Sequence, residues 1–548
     1  MNILSEIISA AVNGDTITLE KDRIYHVRQD DCITLNGYYC SNTAKKHENP
    51  NGRRDTAIFL KNKKDITIDG NGASLIIHGK MTPFLFDNCE NISVINLTVD
   101  YACPTMSEFR VLSNDHGECV IRINDECLYR IEDNTIVWMG EDDLSGKPYW
   151  QDCHNGNRRH FKIYDPSTDL TRDSGRADID FESVEEIAPN TLKVILKNKN
   201  ADLPQGVIVQ TRNIVRDHTG SLFQNCKNLF FRNLHIRFMH GLGMVSQYCE
   251  NICYRDCFFT PSDGRTVAST ADFFQFSGCK GNIILENIEA KGAHDDYVNV
   301  HGTHLRITER YKNQVTVRFM HDESWGFDAF FVGDTVDFIR YDTLIPYFTS
   351  KVTGVKRLND TDILLTLDAV PDSAVIGKDV LENATYTPNL TVRGCRFGST
   401  SGRGILCTTR GRVVIENNHF EKLWGPALLI EDDCNFWFES GYTTNISFIG
   451  NNVDHCDHHI TYDGAPVIRY TPKVLNETEG IYVHKKLTVK GNIFRNPVCD
   501  SHSIHLEHLC EAIIENNSFD APFNITSHNV GSITDRGNTV STDNEDLR

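Results

Sequence analysis

The 548-residue chain is predicted to be all-β, a right-handed parallel β-helix, on three observations. A nine-residue pattern recurs along it, its shortest spacings are 23 to 26 residues with larger gaps left for loop insertions, and the unit is too small for a βαβ crossover and lacks any 3.6-residue apolar period. Such a unit fits a coil of short strands joined by turns, stacked on the next coil at about 4.8 Å.

The pattern is a polar residue, three mostly β-forming residues, a polar or glycine pair, then another apolar position. It occurs as DITIDGNGA from Asp65, NISVINLTV from Asn91, NLFFRNLHI from Asn228 and NICYRDCFF from Asn251. It returns as NIILENIEA from Asn282, NLTVRGCRF from Asn389, RVVIENNHF from Arg412 and NISFIGNNV from Asn445. The last copies are KLTVKGNIF from Lys486 and EAIIENNSF from Glu511. Asn and Gly around each strand suit bends with positive φ.

The opening phrase ILSEIISAAVNGDTITLEKDRIYHV reads as an amphipathic helix, a Gly-Asp turn and a strand, which predicts an N-terminal capping helix over the open end of the stack. Two stretches, 103–215 and 305–386, lose the repeat and show longer alternating strands such as ECVIRI and TLKVIL, then QVTVRFM and DILLTL. Both are expected to be antiparallel β-barrel modules inserted into coil loops. The organisation is then cap and first coils (1–102), inserted module (103–215), central coils (216–304), second module (305–386) and C-terminal coils (387–548).

The formal charge of −20 argues against nucleic acid and membrane partners, and against a polyanionic substrate unless a local basic groove overrides the average. The 18 cysteines follow no zinc-like or disulfide spacing and are expected to be free, buried and stacked inside the solenoid. The N-terminus has no basic segment and carries Glu6 within its apolar stretch, so it is read as neither signal peptide nor membrane span. A cytoplasmic protein and an exported one with its signal removed both fit.

The strand preceding the repeat carries the chemistry. DFFQFSGC starts at Asp272 and DYVNVHGT at Asp296, an offset of 24, with Asp295 beside the second. Stacking neighbouring coils gives a column of Gly241, Asp272, Asp296, Gly402 and Gly425. Alternation sends Phe274, Phe276, Val298 and Val300 inward and Phe273, Gln275, Tyr297, Asn299 and His301 outward, with Asp295 in the outward set. Asp272 and Asp296 share the inward parity but sit at strand entry, where a bend can turn them out. Carboxylates at coil spacing raise one another's pKa, so one stays protonated beside an ionised neighbour, the division that glycoside hydrolysis needs. A calcium site and turn-capping aspartates are the alternatives.

His294 and His301 are candidates for orienting hydroxyls or carboxylates, and Arg265 for the loop beside the site. Tyr297, Trp325 and Trp424 are candidates for stacking on a sugar face, although packing explains each equally well. Arg410 and Glu431 are candidates for hydroxyl binding, or for pairing with other charges.

STADFFQF followed by AHDDYVNVHGT, together with the expected cap and inserted modules, resembles glycoside hydrolase family 110 across nearly the whole chain. These are α-1,3-galactosidases associated with cleavage of the blood-group B antigen. The resemblance implies an inverting exo-enzyme that releases terminal galactose, with Asp295 as proton donor and Asp272 and Asp296 holding and activating the water. Inverting enzymes usually space acid and base about 6.5–9.5 Å apart. It implies no metal or organic cofactor, a galactose-terminated oligosaccharide as partner, and a homodimer. It leaves open whether branched blood-group B or linear α-1,3-galactosides are preferred. The rival readings are a polygalacturonase-like hydrolase, a polysaccharide lyase needing calcium and a basic residue, and a non-catalytic glycan-binding β-helix.

Overall fold

A computed structural model describes residues 3–156, 158–174, 179–458, 466–495 and 502–540. Parallel pairing between successive coils dominates it. One face of the solenoid starts at Arg54–Lys61 and continues through Thr82–Asp87, Thr219–Gln224, Leu242–Gln247, Phe274–Ser277, Val298–Thr303, Ile405–Cys407 and Leu428–Ile430, then on to Phe523–His528. The nine-residue repeats form the other walls: Leu229 pairs with Ile92 and Ile252, Ile283 with Leu390, and Val413 with Ile446. The parallel β-helix is therefore present, and it excludes a βαβ architecture.

Apolar residues of the repeats and of the strands before them fill one continuous core, in which Phe223, Phe231 and Tyr254 stack and Phe274 meets Tyr254 edge-on. The bends carry positive φ where the sequence places asparagine, as at Asn228 (56°) and Asn251 (58°). Side-chain amides of Asn91, Asn228 and Asn251 hydrogen-bond in file along that edge. Cys89, Cys226 and Cys249 stack inside, and every cysteine among the described residues is free.

The inserted modules differ from expectation. Residues 305–383 form a closed six-stranded antiparallel barrel. The first module is an open seven-stranded antiparallel sheet, ordered from Leu170–Asp173 to Phe181–Ala188, with a separate three-stranded sheet beside it. Only one barrel is therefore present among the described residues. Alternation shows that a strand has one buried face; it does not show whether the first strand meets the last, which depends on tilt and stagger. Nor is the expected capping helix found among the described residues. The N-terminal segment contributes the seven-residue helix Ile3–Ser9, about 10 Å long at 1.5 Å per residue, with Leu4 and Ile8 packed in the core. No helix among the described residues is long and apolar enough to cross a membrane.

Candidate active site

The strands on the loop-bearing face begin at Phe274, Val298 and Ile405, and the register pairs Phe274 with Val298 and Val298 with Ile405. Two residues upstream of each strand lies the entry bend, which carries Asp272, Asp296 and Arg403. The column of the sequence reading was thus one residue out at its glycines: Met244 pairs with Phe274, so Leu242 underlies Asp272, and Arg403 takes the place assigned to Gly402. Gly402 stacks on Asp295 instead, and a Cβ there would lie 2.1 Å from the Asp295 carbonyl oxygen. Only glycine allows that approach.

The bend also overrides side-chain alternation. Phe273 and Tyr297, expected outward, are buried in the core and stack on each other, because both precede the regular strand. Asp272 and Asp296 turn away from the core into a cleft.

The three aspartates converge there, with one oxygen of each within 4.8 Å of the others. This closest approach is shorter than the 6.5–9.5 Å usual for an inverting pair, because adjacent coils set it rather than two opposed walls. Arg403 grips both oxygens of Asp296, Nε at 2.5 Å and Nη2 at 2.9 Å, and reaches Asp295 at 3.4 Å. The Asp296 amide donates to Asp272 Oδ1 at 3.3 Å. A third of the Asp295 side chain is exposed, against 1 % for that of Asp296.

Burial, then the charges of Asp295 and Asp296, hold the Asp272 carboxyl well above the ordinary carboxylate range. Burial also pushes Asp296 up, to about 7, although Arg403 opposes it. Burial works on Asp295 too, but Arg403, Arg216, Lys162 and Arg212 outweigh it and hold that carboxyl below its ordinary value. The cluster thus favours retention of a proton toward neutrality, and its titration belongs to the three groups together. The same oxygens have the spacing of a cation site, as have Asp217, His218 and His240, and Glu477, His508 and His528. At the aspartates, Arg403 and Arg216 already supply the positive charge that a cation would bring.

Around the aspartates the cleft has two parts. The inner, of about 530 Å³, adds Asn42, Arg216, Asn299, Leu406, Glu431, Asp433, Trp437 and Glu439. Asp433 gathers the backbone N–H groups of Asn435, Phe436, Trp437 and Phe438, which fixes a tight loop and presents Trp437, 44 % exposed. His321, from the barrel, packs at 4.4 Å against that indole. The outer part, of about 970 Å³, lies between the first inserted module and the solenoid; Lys162, Arg212, His294, Trp424, Asp457 and Arg469 line it.

Of the residues singled out from sequence, Asp272, Asp295, Asp296 and Glu431 line the cleft, as do His294 and Trp424. His294 is fully buried, its Nε2 2.9 Å from Gln210 Oε1. His301 lies behind the wall, 3.8 Å from Glu439. The other four belong elsewhere. Tyr297 is a core residue whose hydroxyl donates to the Gly398 and Ser399 carbonyls. Arg265 is spent on Asp100, Glu126 and the Tyr101 carbonyl, and Arg410 on Asp337 and Glu382. Trp325 belongs to the barrel core and donates to the Ala44 carbonyl. Each has a partner that makes a sugar contact unnecessary.

The residues that the sequence reading missed are Arg403, Arg216, Arg212, Lys162, Asn42, Asp433, Trp437 and Glu439. Arg403 carried a signal, since it follows a glycine already placed against the column. The rest come from loops or from the first inserted module, outside any repeat.

A β-helix with a carboxylate cluster at the bends of adjacent coils, in a cleft that also presents an aromatic wall, has the make-up of a glycoside hydrolase. Residues 314–381 match the family model described as GLAA-B beta-barrel domain II, and 383–546 match a right handed beta helix region. The chain is 36 % identical over 477 residues to alpha-1,3-galactosidase A of Akkermansia muciniphila, covering 86 % of this chain and 76 % of that one. It is 36 % identical over 470 residues to alpha-1,3-galactosidase A of Bacteroides fragilis (84 % and 74 % covered). It is 31 % identical over 448 residues to alpha-1,3-galactosidase B of Bacteroides thetaiotaomicron (80 % and 71 % covered). The chain belongs to the α-1,3-galactosidase A/B family, glycoside hydrolase family 110.

Proposed function

We infer that this chain is an exo-acting α-1,3-galactosidase that releases terminal galactose from blood-group B or linear α-1,3-galactosides by single displacement with inversion. The observation that carries the reading is the cluster of Asp272, Asp295 and Asp296 with Arg403, inside a cleft walled by Trp437. Galactose occupies the inner part, where the Trp437 indole suits the apolar face of a sugar and the carboxylates of Glu431 and Glu439 accept its hydroxyl hydrogens.

Asp295, the most exposed of the three, protonates the glycosidic oxygen as its bond to C1 breaks. A water held by Asp272 and Asp296 attacks C1 from the opposite face, and its proton passes to that pair. Arg403 orients Asp296 and stabilises its ionised form. For the first step the proton that the cluster retains must reside on Asp295, and a sugar covering the exposed third of Asp295 favours that by removing water from it.

The five-segment organisation accompanies this reading, with the inserted modules as the walls of the cleft. The homodimer implied by the family is tested by sedimentation.

Proton NMR of Gal-α-1,3-Gal hydrolysis, with and without an α-1,2-linked fucose, is the deciding experiment. β-Galactose as first product is expected. Initial α-galactose overturns inversion, and with the short closest approach of these oxygens it would assign a nucleophile within the cluster. No cleavage of either substrate overturns the activity.

A further inference from the structure

The net charge of the chain conceals a division within its cleft. The inner part gathers Asp272, Asp296, Glu431, Asp433 and Glu439 around the place assigned to galactose. Beyond Asp295 cations slightly outnumber acids: Lys162, Arg212, Arg216, Arg403 and Arg469 stand with Asp173, Asp295, Glu431 and Asp457. Lys162, Arg212 and Arg216 reach this wall from the first inserted module and the segment that follows, and Arg469 from the solenoid.

Two of these cations are matched: Lys162 lies 2.6 Å from Asp173, and Arg469 lies 2.9 Å from Asp457. Arg212 is different. It is 4 % exposed, no carboxylate among the described residues lies within ion-pair distance, Asp295 and Asp173 act on it only from farther away, Nη1 donates to the Asn213 carbonyl, and Nε has no hydrogen-bond partner among those residues. Burial, with Arg216 next to it, pushes Arg212 down to about 9. A guanidinium kept from water beside a second one is costly unless an anion meets it. The fold holds this arrangement on the wall of a cavity of about 970 Å³ that Asp295 also lines.

We propose that the outer part of the cleft is a leaving-group subsite for a sugar carrying an oxyanion, a sulfate ester or a carboxylate, gripped by Arg212 with Lys162 and Arg216. This rests on the reading that galactose fills the inner part, and it names the class of aglycone that would follow it. This wall also bears on the reaction. The cations that would hold the anion are among those that keep Asp295 ionised, so an anion seated on them offsets that influence and favours the protonated acid.

The test compares kcat/KM for Gal-α-1,3-Gal, the same disaccharide bearing a 6-O-sulfate on its reducing residue, and Gal-α-1,3-galacturonic acid. At least one anionic substrate should be favoured about tenfold at low ionic strength, with the advantage shrinking in about 0.5 M sodium chloride. Which one is favoured distinguishes sulfate from carboxylate. Arg212→Met and Lys162→Met should each bring the anionic-to-neutral ratio toward one, and Arg212→Lys should restore part of it. The ratio is internal to each variant, so a general loss of activity leaves it readable. Neutral substrate cleaved as well as both anionic ones overturns the proposal, as does a preference that survives both methionine variants. Should no substrate be cleaved, the galactosidase reading fails, and calorimetry of the three disaccharides on Asp295→Asn protein tests the subsite alone. Tenfold tighter binding of an anionic disaccharide supports it; equal or weaker binding overturns it.

Discussion

The C-terminal coils and the central coils share one solenoid register but stack opposite kinds of polar side chain. In the C-terminal coils Asn418, Asn451, Asn492, Asn517 and Asn538 lie one above another, each amide donating to the next carbonyl oxygen at 2.9–3.1 Å. Each also donates to a backbone carbonyl, Asn451 to that of Ile415 and Asn492 to that of Phe448. Every rung satisfies its neighbour. In the central coils Asp272 and Asp296 stack on each other at a different bend, the one that enters the loop-bearing face, and neither carboxylate can donate once ionised. The same periodicity therefore yields a stabilising ladder from asparagine and a repulsive, proton-retaining pair from aspartate, with Arg403 as the rung above. The difference lies in the donor: an amide carries one, and a carboxylate must borrow it from a guanidinium or a proton.

Removing the acid from the central stack should have the largest effect. Asp295→Asn is expected to lower kcat on Gal-α-1,3-Gal by about 10³-fold, and by far less on an aryl α-galactoside whose leaving group needs no proton. An equal loss on both would show that Asp295 is not the donor. Arg403→Met comes next, at about 10²-fold in kcat/KM. Without the guanidinium, Asp296 rises above its present value of about 7, so the acid limb of the pH profile should move to higher pH. Arg403→Lys should return part of that shift, which a purely structural role for Arg403 would not do. Trp437→Ala should act chiefly on KM, by about tenfold, since an aromatic platform contributes on the order of 1 kcal/mol. A KM left unchanged would remove the indole from the sugar site.

The ladder and the column were legible in the sequence to different degrees. Asparagine and alternating apolar residues recur at each repeat, so the solenoid follows from spacing. The aspartates follow as well, because Asp272 and Asp296 precede matching apolar strands. Arg403 was hidden by anchoring the stack on glycine. Core pairing is set by Val298 and Ile405, and counting back from those apolar residues gives the arginine. Trp437, Asn42 and Arg212 were out of reach, because each enters the cleft from a loop or inserted module whose placement depends on tertiary packing. Closure of the second module, and of that one alone, is also a tertiary outcome. Tyr297 misled because alternation was carried one residue upstream of the strand, into a bend.

The smallest effect concerns stability, and it tests the comparison most directly. Asp272→Asn places an amide in the central stack, as in the C-terminal one. In the wild type the folded state holds Asp272 well above its ordinary value and Asp296 at about 7. An acid raised on folding binds its proton more tightly in the folded chain, so its contribution is fully present below the ordinary value of 3.8 and is lost as pH rises toward the folded value. At pH 7 the wild type has therefore given up stability that an amide, which does not titrate, retains. Asp272→Asn should abolish activity yet raise the midpoint of thermal unfolding at pH 7 by about 2 °C, with a smaller gain at pH 4.5. Asn451→Ala should do the reverse, lowering the midpoint by a similar amount without pH dependence, because it strands the Ile415 carbonyl and the Asn418 amide. A destabilised Asp272→Asn protein would mean that the central stack is held together by its charges rather than strained by them, and the contrast between the two sets of coils would fall.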